Sequence, residues 1–469
     1  MAISSGWWDQ AREILGDRLL SDAALLEPYS HDESAVEEHR LLPPAVARPK
    51  DEQEVARLLR LCRKERVPVT VRGAGTGLAG GCVPEPGGIV LSTELMNRVV
   101  DTDLGNHTIT VQAGLPLSRL YEEVERMSLY FPPHPGDEGA TVGGAVAANA
   151  GGARAVKYGT VRRFVLALQA VLASGEILEL GGKYIKSSTG YHLLDLLVGS
   201  EGTLAVITRI TLSLLPRVGS VQTLLAPFST TSAAIGSVGR LLAAGVVPCA
   251  VEYIERPVVA LAEKLLGKTW PSHEGEADLM LILDGRDSAD TLAQAEAAGA
   301  VLEAGGARDV LVSDNRERQA EMLALRSIFY DAIHPGVAEG FDICVPRSQI
   351  VPHLEAVRRL EREHGVSLPT YGHAADGNLH SHALRRALRD GAFGEELPGW
   401  RETCLAIRRQ LYEDVIQRGG VISGEHGIGL ARKDFLARNV SPGLVAVMRS
   451  IKDALDPDGI LNPGKIFQR

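Results

Sequence analysis

Glycine is concentrated in two stretches of this chain, 72–88 and 132–159, and that concentration restricts the fold more than any other feature. Before the first stretch, Val67-Pro-Val-Thr-Val71 reads as a short strand from its β-branched content, and it leads into Arg72-Gly-Ala-Gly-Thr-Gly-Leu-Ala-Gly-Gly81. The spacing Gly75-x-Gly77-x-x-Gly80 formally matches a dinucleotide fingerprint, in which the third glycine opens a helix. Here Pro84, Pro86, Gly87 and Gly88 follow at once and forbid that helix, so a nicotinamide site loses its structural context. What survives is a loop whose backbone N–H groups can converge on phosphate without a helix. In the second stretch Gly136, Gly139, Gly143, Gly144, Gly151, Gly152 and Gly159 are separated by small residues. Asn149, Arg154, Lys157 and Tyr158 interrupt it and predicted elements enclose it, which makes it an ordered surface of close approach and not a linker.

The flanking patterns supply the scaffold. Trp7, Ala11, Ile14 and Leu15 have helical spacing, and a polar, acidic stretch follows at 31–38. A helix is expected over 52–65, apolar at Val55, Leu58, Leu59 and Leu61, and another over 117–127. Strands are expected at 89–91, 108–111, 165–173, 176–180 and 204–215, and Pro216 closes this block. From 217 to 350 amphipathic helices (231–244, 256–266, 289–304) alternate with apolar strands (277–283, 310–312), which suggests a separate unit. A histidine-rich segment at 371–382 reads as a polar loop, a long helix covers 401–418, and the tail 456–465 reads as a turn-rich docking segment. The expected domains are 1–216 with its core at 44–216, then 217–425, then a C-terminal segment 426–469. With 469 residues, 45% hydrophobic and 23% charged, the chain is long enough for two or three cores. A net charge of -10 without a basic patch argues against nucleic acid. Five scattered cysteines, never in a C-x-x-C arrangement, argue against a disulfide framework or an iron–sulfur cluster held by this chain alone. No leader pattern and no apolar run of roughly 18 residues stands out, so the expected location is cytoplasmic, or peripheral at a membrane.

Further motifs arrive in a fixed order after the loop at 72–81: Pro135-Gly136 leading to Thr141-Val-Gly-Gly144, then Asn149-Ala-Gly-Gly152, Lys157-Tyr-Gly159 and Gly199-Ser-Glu-Gly-Thr203. Together they resemble the FAD-binding domain of the vanillyl-alcohol oxidase and p-cresol methylhydroxylase superfamily over roughly residues 44–216. The resemblance implies two small α/β subdomains gripping an extended FAD, with its pyrophosphate at Arg72, Gly73, Ala74, Gly75, Thr76 and Gly77. It further implies cofactor contacts from Pro135, Gly136, Thr141, Gly143, Gly144, Asn149, Gly151, Gly152, Tyr158, Gly159, Glu201, Gly202 and Ile207. Some members carry a histidine in this loop that bonds covalently to the flavin; Thr76 stands there in this chain, so the FAD is expected to be noncovalent.

A second constellation is His373-Ala-Ala-Asp-Gly-Asn-Leu-His380 with His382, followed by Ser423-Gly-Glu-His-Gly-Ile-Gly429. Two imidazoles seven residues apart, plus a carboxylate from a distant segment, could form a three-ligand site with open positions, as a catalytic metal requires. With Leu461-Asn-Pro-Gly-Lys465, these motifs resemble the FAD-linked oxidase family that contains D-lactate dehydrogenase, the flavin subunit of glycolate oxidase and D-2-hydroxyglutarate dehydrogenase. That resemblance implies a divalent metal, usually zinc, on His373, His380 and Glu425, with His426 as the base. Asn462 is then expected on the flavin side, and Arg326 at the substrate carboxylate. The hydroxyglutarate enzymes place a lysine where this chain has Gly340 and an asparagine where it has His382, a substrate-side position. Both departures argue against a second carboxylate on the substrate.

The implied fold is α+β: a p-cresol methylhydroxylase-type two-subdomain FAD-binding domain, a capping domain with an antiparallel sheet, and a C-terminal tail returning to the FAD domain. The implied reaction is oxidation of a small D-2-hydroxy acid, D-lactate or glycolate, to the 2-oxo acid. Electrons then leave to a separate acceptor: a quinone, an electron-transfer flavoprotein, a cytochrome or an iron–sulfur subunit. A homodimer is compatible with the resemblance. The alternatives are a D-2-hydroxyglutarate dehydrogenase, a metal-dependent hydrolase with purely structural glycine loops, and a non-catalytic flavin subunit.

Overall fold

The computed structural model describes residues 3–34, 39–313 and 316–468. Part of the acidic stretch read at 31–38 therefore lies outside the described residues, namely 35–38. The chain divides into two compact units: Met1–Gly151 with Thr160–Arg217 and Glu425–Arg469, and Gly152–Gly159 with Val218–Gly424. Residues 152–159, expected with the first block, belong to the second unit.

The first unit holds two sheets. One orders the strands Leu19–Leu20, Val46–Ala47, Ile89–Ser92 and Val69–Arg72, the last three mutually parallel. The helix Glu52–Glu65 is the crossover such parallel strands require. It starts where the Asp51 side chain accepts a hydrogen bond from the Glu54 N–H at 2.9 Å, and stops at Arg66 in the left-handed region. Val55, Leu58, Leu59 and Cys62 bury its apolar face against Val69, Ile89, Leu91 and the first helix, Ser5–Leu15. Each such side chain contributes about 1.5–3 kcal/mol of burial. The other sheet is antiparallel, in the order Val99–Asp103, Thr108–Gln112, Val206–Ser213, Val165–Val171, Ile177–Gly181. Against its central strand packs a seven-residue helix, Val142–Ala148, inside the glycine-rich second stretch. The tail closes the unit: Leu461 bridges Val69, and the Asn462 N–H donates to the Val69 carbonyl at 2.8 Å.

The second unit is built on a seven-stranded sheet with only antiparallel pairings. Its order is Leu311–Ser313, Ser220–Phe228, Ala277–Gly285, Ala250–Glu255, Thr370–His373, Asn378–Leu384, Val337–Cys344. Helices Thr231–Ala243, Arg256–Leu266, Ser288–Ala304, Ile350–His364 and Trp400–Gln417 belong to the same unit. The α+β class with an antiparallel sheet is as the sequence implied. One expectation is corrected. The histidine-rich segment is no loop but a hairpin, Thr370–His373 and Asn378–Leu384, whose two strands are buried and stand fifth and sixth in this sheet. Its strand character lies in alternation: Asn378, His380 and His382 face one side, Leu379, Ser381 and Ala383 the other.

Candidate active site

In the first unit the glycine motifs converge because each lacks a Cβ where another element approaches. A Cβ on Gly73 would lie 2.3 Å from Thr141 Oγ1, and one on Gly143 would lie 2.6 Å from the Ala113 Cβ. Gly75 has φ +87°, and a Cβ there would enter the Arg72 guanidinium. That guanidinium is buried and holds the loop, donating to the carbonyls of His31 at 2.5 Å, Pro28 at 2.9 Å and Ala74 at 3.3 Å. Thr141 caps the Val142–Ala148 helix by accepting from the Gly144 N–H at 3.1 Å. A cavity of about 320 Å³ lies between these groups, lined by Arg72, Gly73, Ala74, Gly114, Gly139 and Thr141 among others. The Gly77 carbonyl accepts from the Glu33 N–H at 2.9 Å, leaving Thr76 at the turn between Gly75 and Gly77. Pro135 and Gly136 lie in the loop before Thr141, where a Cβ on Gly136 would meet open space. The wall of this cavity carries Arg72 and Glu94 beside the glycine-loop backbone.

Other expected cofactor residues serve as joints. Asn149, at φ +51°, ends the short helix, and its Oδ1 accepts from Thr160 Oγ1 at 2.8 Å. The Asn462 amide is used on both sides: Oδ1 accepts from the Val71 N–H at 2.7 Å, and Nδ2 donates to the Glu201 carbonyl at 2.6 Å. A Cβ on Gly202 would meet that amide at 2.9 Å. Ile207 is buried opposite Ala170. The Glu201 carboxylate accepts from the backbone N–H groups of Ile428 at 2.8 Å and Gly429 at 2.7 Å, and so shapes the turn after His426. Desolvation pushes its carboxyl up, against the pull of those two donors. Gly151 makes room for Glu425, whose Oε2 would lie 2.8 Å from a Cβ at 151. His426 Nε2 lies 3.9 Å from Glu425 Oε1. Gly152, Tyr158 and Gly159 belong to the second unit, where the Tyr158 hydroxyl donates to Asp284, which Lys157 also pairs with.

In the second unit the sheet register gathers the polar residues. His373 lies opposite Asn378 and Tyr371 opposite His380 within the hairpin, so all four share one face. The two imidazoles meet edge to face with centroids 5.4 Å apart. On one flank Glu252 is the cross-strand partner of His373, and its Oε1 lies 2.6 Å from His373 Nδ1. On the other flank Asp342 is the partner of His380, with Oδ1 at 3.7 Å from Nδ1. Asp342 also accepts from Asn378 Nδ2 and from Ser423 Oγ, each at 2.8 Å, and its carbonyl accepts from the Gly424 N–H at 3.1 Å. These bonds tie the 423–424 segment to the sheet. Arg326 Nε donates to Glu252 Oε2 at 2.6 Å, and the guanidinium lies over Tyr371 at 5.2 Å. Burial alone pushes the Glu252 carboxyl up, but Arg326 and His373 together hold it down at about 2. His382 stacks on Tyr371 at 5.4 Å and sits opposite Gly340, so the two departures from the hydroxyglutarate pattern are direct neighbours.

Glu252 and Asp342 were not expected as site residues. The available signal was a carboxylate with apolar residues on both sides within a strand, Ala-Val-Glu-Tyr-Ile and Gly-Phe-Asp-Ile-Cys, since such groups are almost never fully buried without partners.

Comparison with known proteins places this arrangement. The FAD binding domain pattern matches residues 43–181, and the pattern of FAD linked oxidases, C-terminal domain, matches residues 219–466. A protein named D-lactate dehydrogenase from Archaeoglobus fulgidus is 42% identical, over 90% of this chain and 91% of its own. A protein named glycolate oxidase subunit GlcD from Bacillus subtilis is 33% identical, over 94% of this chain and 92% of its own. Among solved structures, p-cresol methylhydroxylase with substrate bound superposes with a TM-score of 0.80 at 16% identity, over 99% of this chain and 98% of that one, and so shares the fold. The resemblance read from the glycine and histidine motifs is borne out, and the chain belongs to the FAD-linked oxidases as an FAD-dependent oxidoreductase.

Proposed function

We propose that this chain oxidises a small D-2-hydroxy acid, D-lactate or glycolate, to the 2-oxo acid and passes the electrons to a separate acceptor. The observation that carries this reading is the pair of buried imidazoles, His373 and His380, facing each other on one sheet face of an FAD-linked oxidase. The names of the Archaeoglobus and Bacillus relatives supply the substrate class.

The donor set fits a divalent ion such as zinc: two imidazoles with a carboxylate leave coordination positions for substrate oxygens. His373, His380 and Glu425 would hold it. Bound FAD would supply the acceptor for the hydride on the substrate Cα, and the ion would supply positive charge beside the substrate oxygen. His426 takes the hydroxyl proton, for which an imidazole titrating near neutrality is well matched. Arg326 pairs with Glu252 along one edge; a guanidinium has five donors, and in this reading another edge binds the substrate carboxylate. His382, packed on Tyr371 and opposite Gly340, closes the space that a longer, dicarboxylic acid would need. The acceptor is a quinone, an electron-transfer flavoprotein, a cytochrome or an iron–sulfur subunit, reached from the cytoplasm or from a membrane surface. Among the described residues no helix is long and apolar enough to cross a membrane.

The test is an anaerobic absorbance spectrum of the protein supplied with FAD and zinc, before and after adding D-lactate, L-lactate, glycolate or D-2-hydroxyglutarate. Bleaching of the flavin band by D-lactate or glycolate, abolished by a chelator, is the expected result. A flavin that none of the four acids reduces overturns the substrate assignment. His426→Ala should slow the bleaching by about 10²–10⁴-fold while FAD binding is retained.

A further inference from the structure

We infer that Glu252 is a positioning residue for metal binding: it holds His373 in one tautomer, with Nε2 as the metal donor, and ties that imidazole to Arg326. The inference rests on the metal reading proposed above and deepens it. Glu252 is fully buried in the Ala250–Glu255 strand, directly opposite His373 in the register. Its two oxygens have separate tasks, Oε1 at 2.6 Å from His373 Nδ1 and Oε2 receiving Arg326 Nε at 2.6 Å. A carboxylate accepting from Nδ1–H fixes the ring's tautomer and orientation and raises the basicity of the opposite nitrogen, which is how outer carboxylates tune metal ligands. A plain structural ion pair with Arg326 would not need the second oxygen on an imidazole.

Asp342 supplies the contrast. It is equally buried and equally opposite a histidine, and it accepts from Asn378 and Ser423 at 2.8 Å each, with His380 Nδ1 at 3.7 Å. It anchors the hairpin and the 423–424 segment, while Glu252 Oε1 stands 2.6 Å from the Nδ1 of a proposed ligand. In this arrangement Arg326 enters metal affinity through Glu252.

The experiment uses the full chain with FAD bound, stripped of metal and titrated with zinc against a chromophoric chelator. Glu252→Gln, isosteric but without the charge, should bind zinc about 10–100-fold more weakly than wild type, with the flavin spectrum retained. In the metal-free protein, nitrogen-15 shifts of labelled histidine should show His373 as the Nδ1–H tautomer in wild type and a mixture in the variant. Wild-type zinc affinity in Glu252→Gln overturns the inference and leaves the metal reading intact. A wild-type chain that binds no zinc, yet is still reduced by a hydroxy acid, overturns both the metal reading and this role. Should Glu252→Gln fail to fold, Glu252→Asp decides in the same assay, because it keeps the charge for Arg326 and shortens the reach to His373. Weakened binding there supports the inference, and unchanged binding overturns it.

Discussion

Gly75 shows how much rests on a single absent methyl group. Its φ of +87° and the Arg72 guanidinium occupying its missing Cβ position mean that the loop over the cavity can close only with glycine there. Gly75→Ala should cost about 1–3 kcal/mol in strain and displace Arg72, read as a lower denaturant midpoint and weaker FAD retention on gel filtration. A variant that kept both would show that the loop relaxes without consequence. This position was legible in the sequence because a glycine run that follows a strand, with Pro84 and Pro86 blocking any helix after it, leaves a phosphate-facing loop as the natural outcome. Glu252 was hidden for the opposite reason. A glutamate within a strand-like run gives no hint of which strand will stand beside it, and only register joins it to a residue 121 positions away.

Among elements, the histidine hairpin was the least legible and the 52–65 helix the most. That helix carried its cap, its stripe and its stop within its own residues. The hairpin reads polar because its functional face is polar, and burial between neighbouring strands is a tertiary property. The Val142–Ala148 helix was obscured by Gly143 and Gly144, poor helix formers, the first of them kept there by the close approach of Ala113. Gly377 sets the hairpin turn: it has φ +92°, and a Cβ would lie 2.0 Å from the Val345 carbonyl oxygen. Gly377→Ala should therefore destabilise the protein by about 1–3 kcal/mol and weaken zinc uptake together, since both histidines flank that turn. Thermal unfolding and the zinc titration check this, and a loss of stability with unchanged zinc affinity would separate the turn from the site.

For the whole molecule, the expected tail docking proves to be a set of polar locks inside the first unit. Lys452 Nζ donates to the Thr203 and Leu461 carbonyls at 2.7 and 2.9 Å, and Lys465, buried, donates to the Val83 carbonyl at 2.6 Å. Burial pushes the Lys465 ammonium down to about 8, against the partial support of Glu85. Its unfolded value is about 10.5. Below the folded value both states are protonated and the native state bears the full desolvation cost. As pH rises from 8 towards the unfolded value the native state releases its proton first, and that cost fades. Wild type should thus gain stability relative to Lys465→Met between about pH 7.5 and about pH 9.5, measured by urea unfolding. A difference independent of pH would show the amine to be hydrated.

The first unit is discontinuous in the chain, with Val218–Gly424 intervening before Glu425–Arg469 completes it. On the ribosome, the second unit has emerged entire while the first still lacks the partners of Val69, Val71 and Glu201. The unit that begins the chain is thus the last to receive all of its partners. A polypeptide released before codon 425 would keep its histidine hairpin and lose the bonds that the tail makes to Val69, Val71 and Glu201.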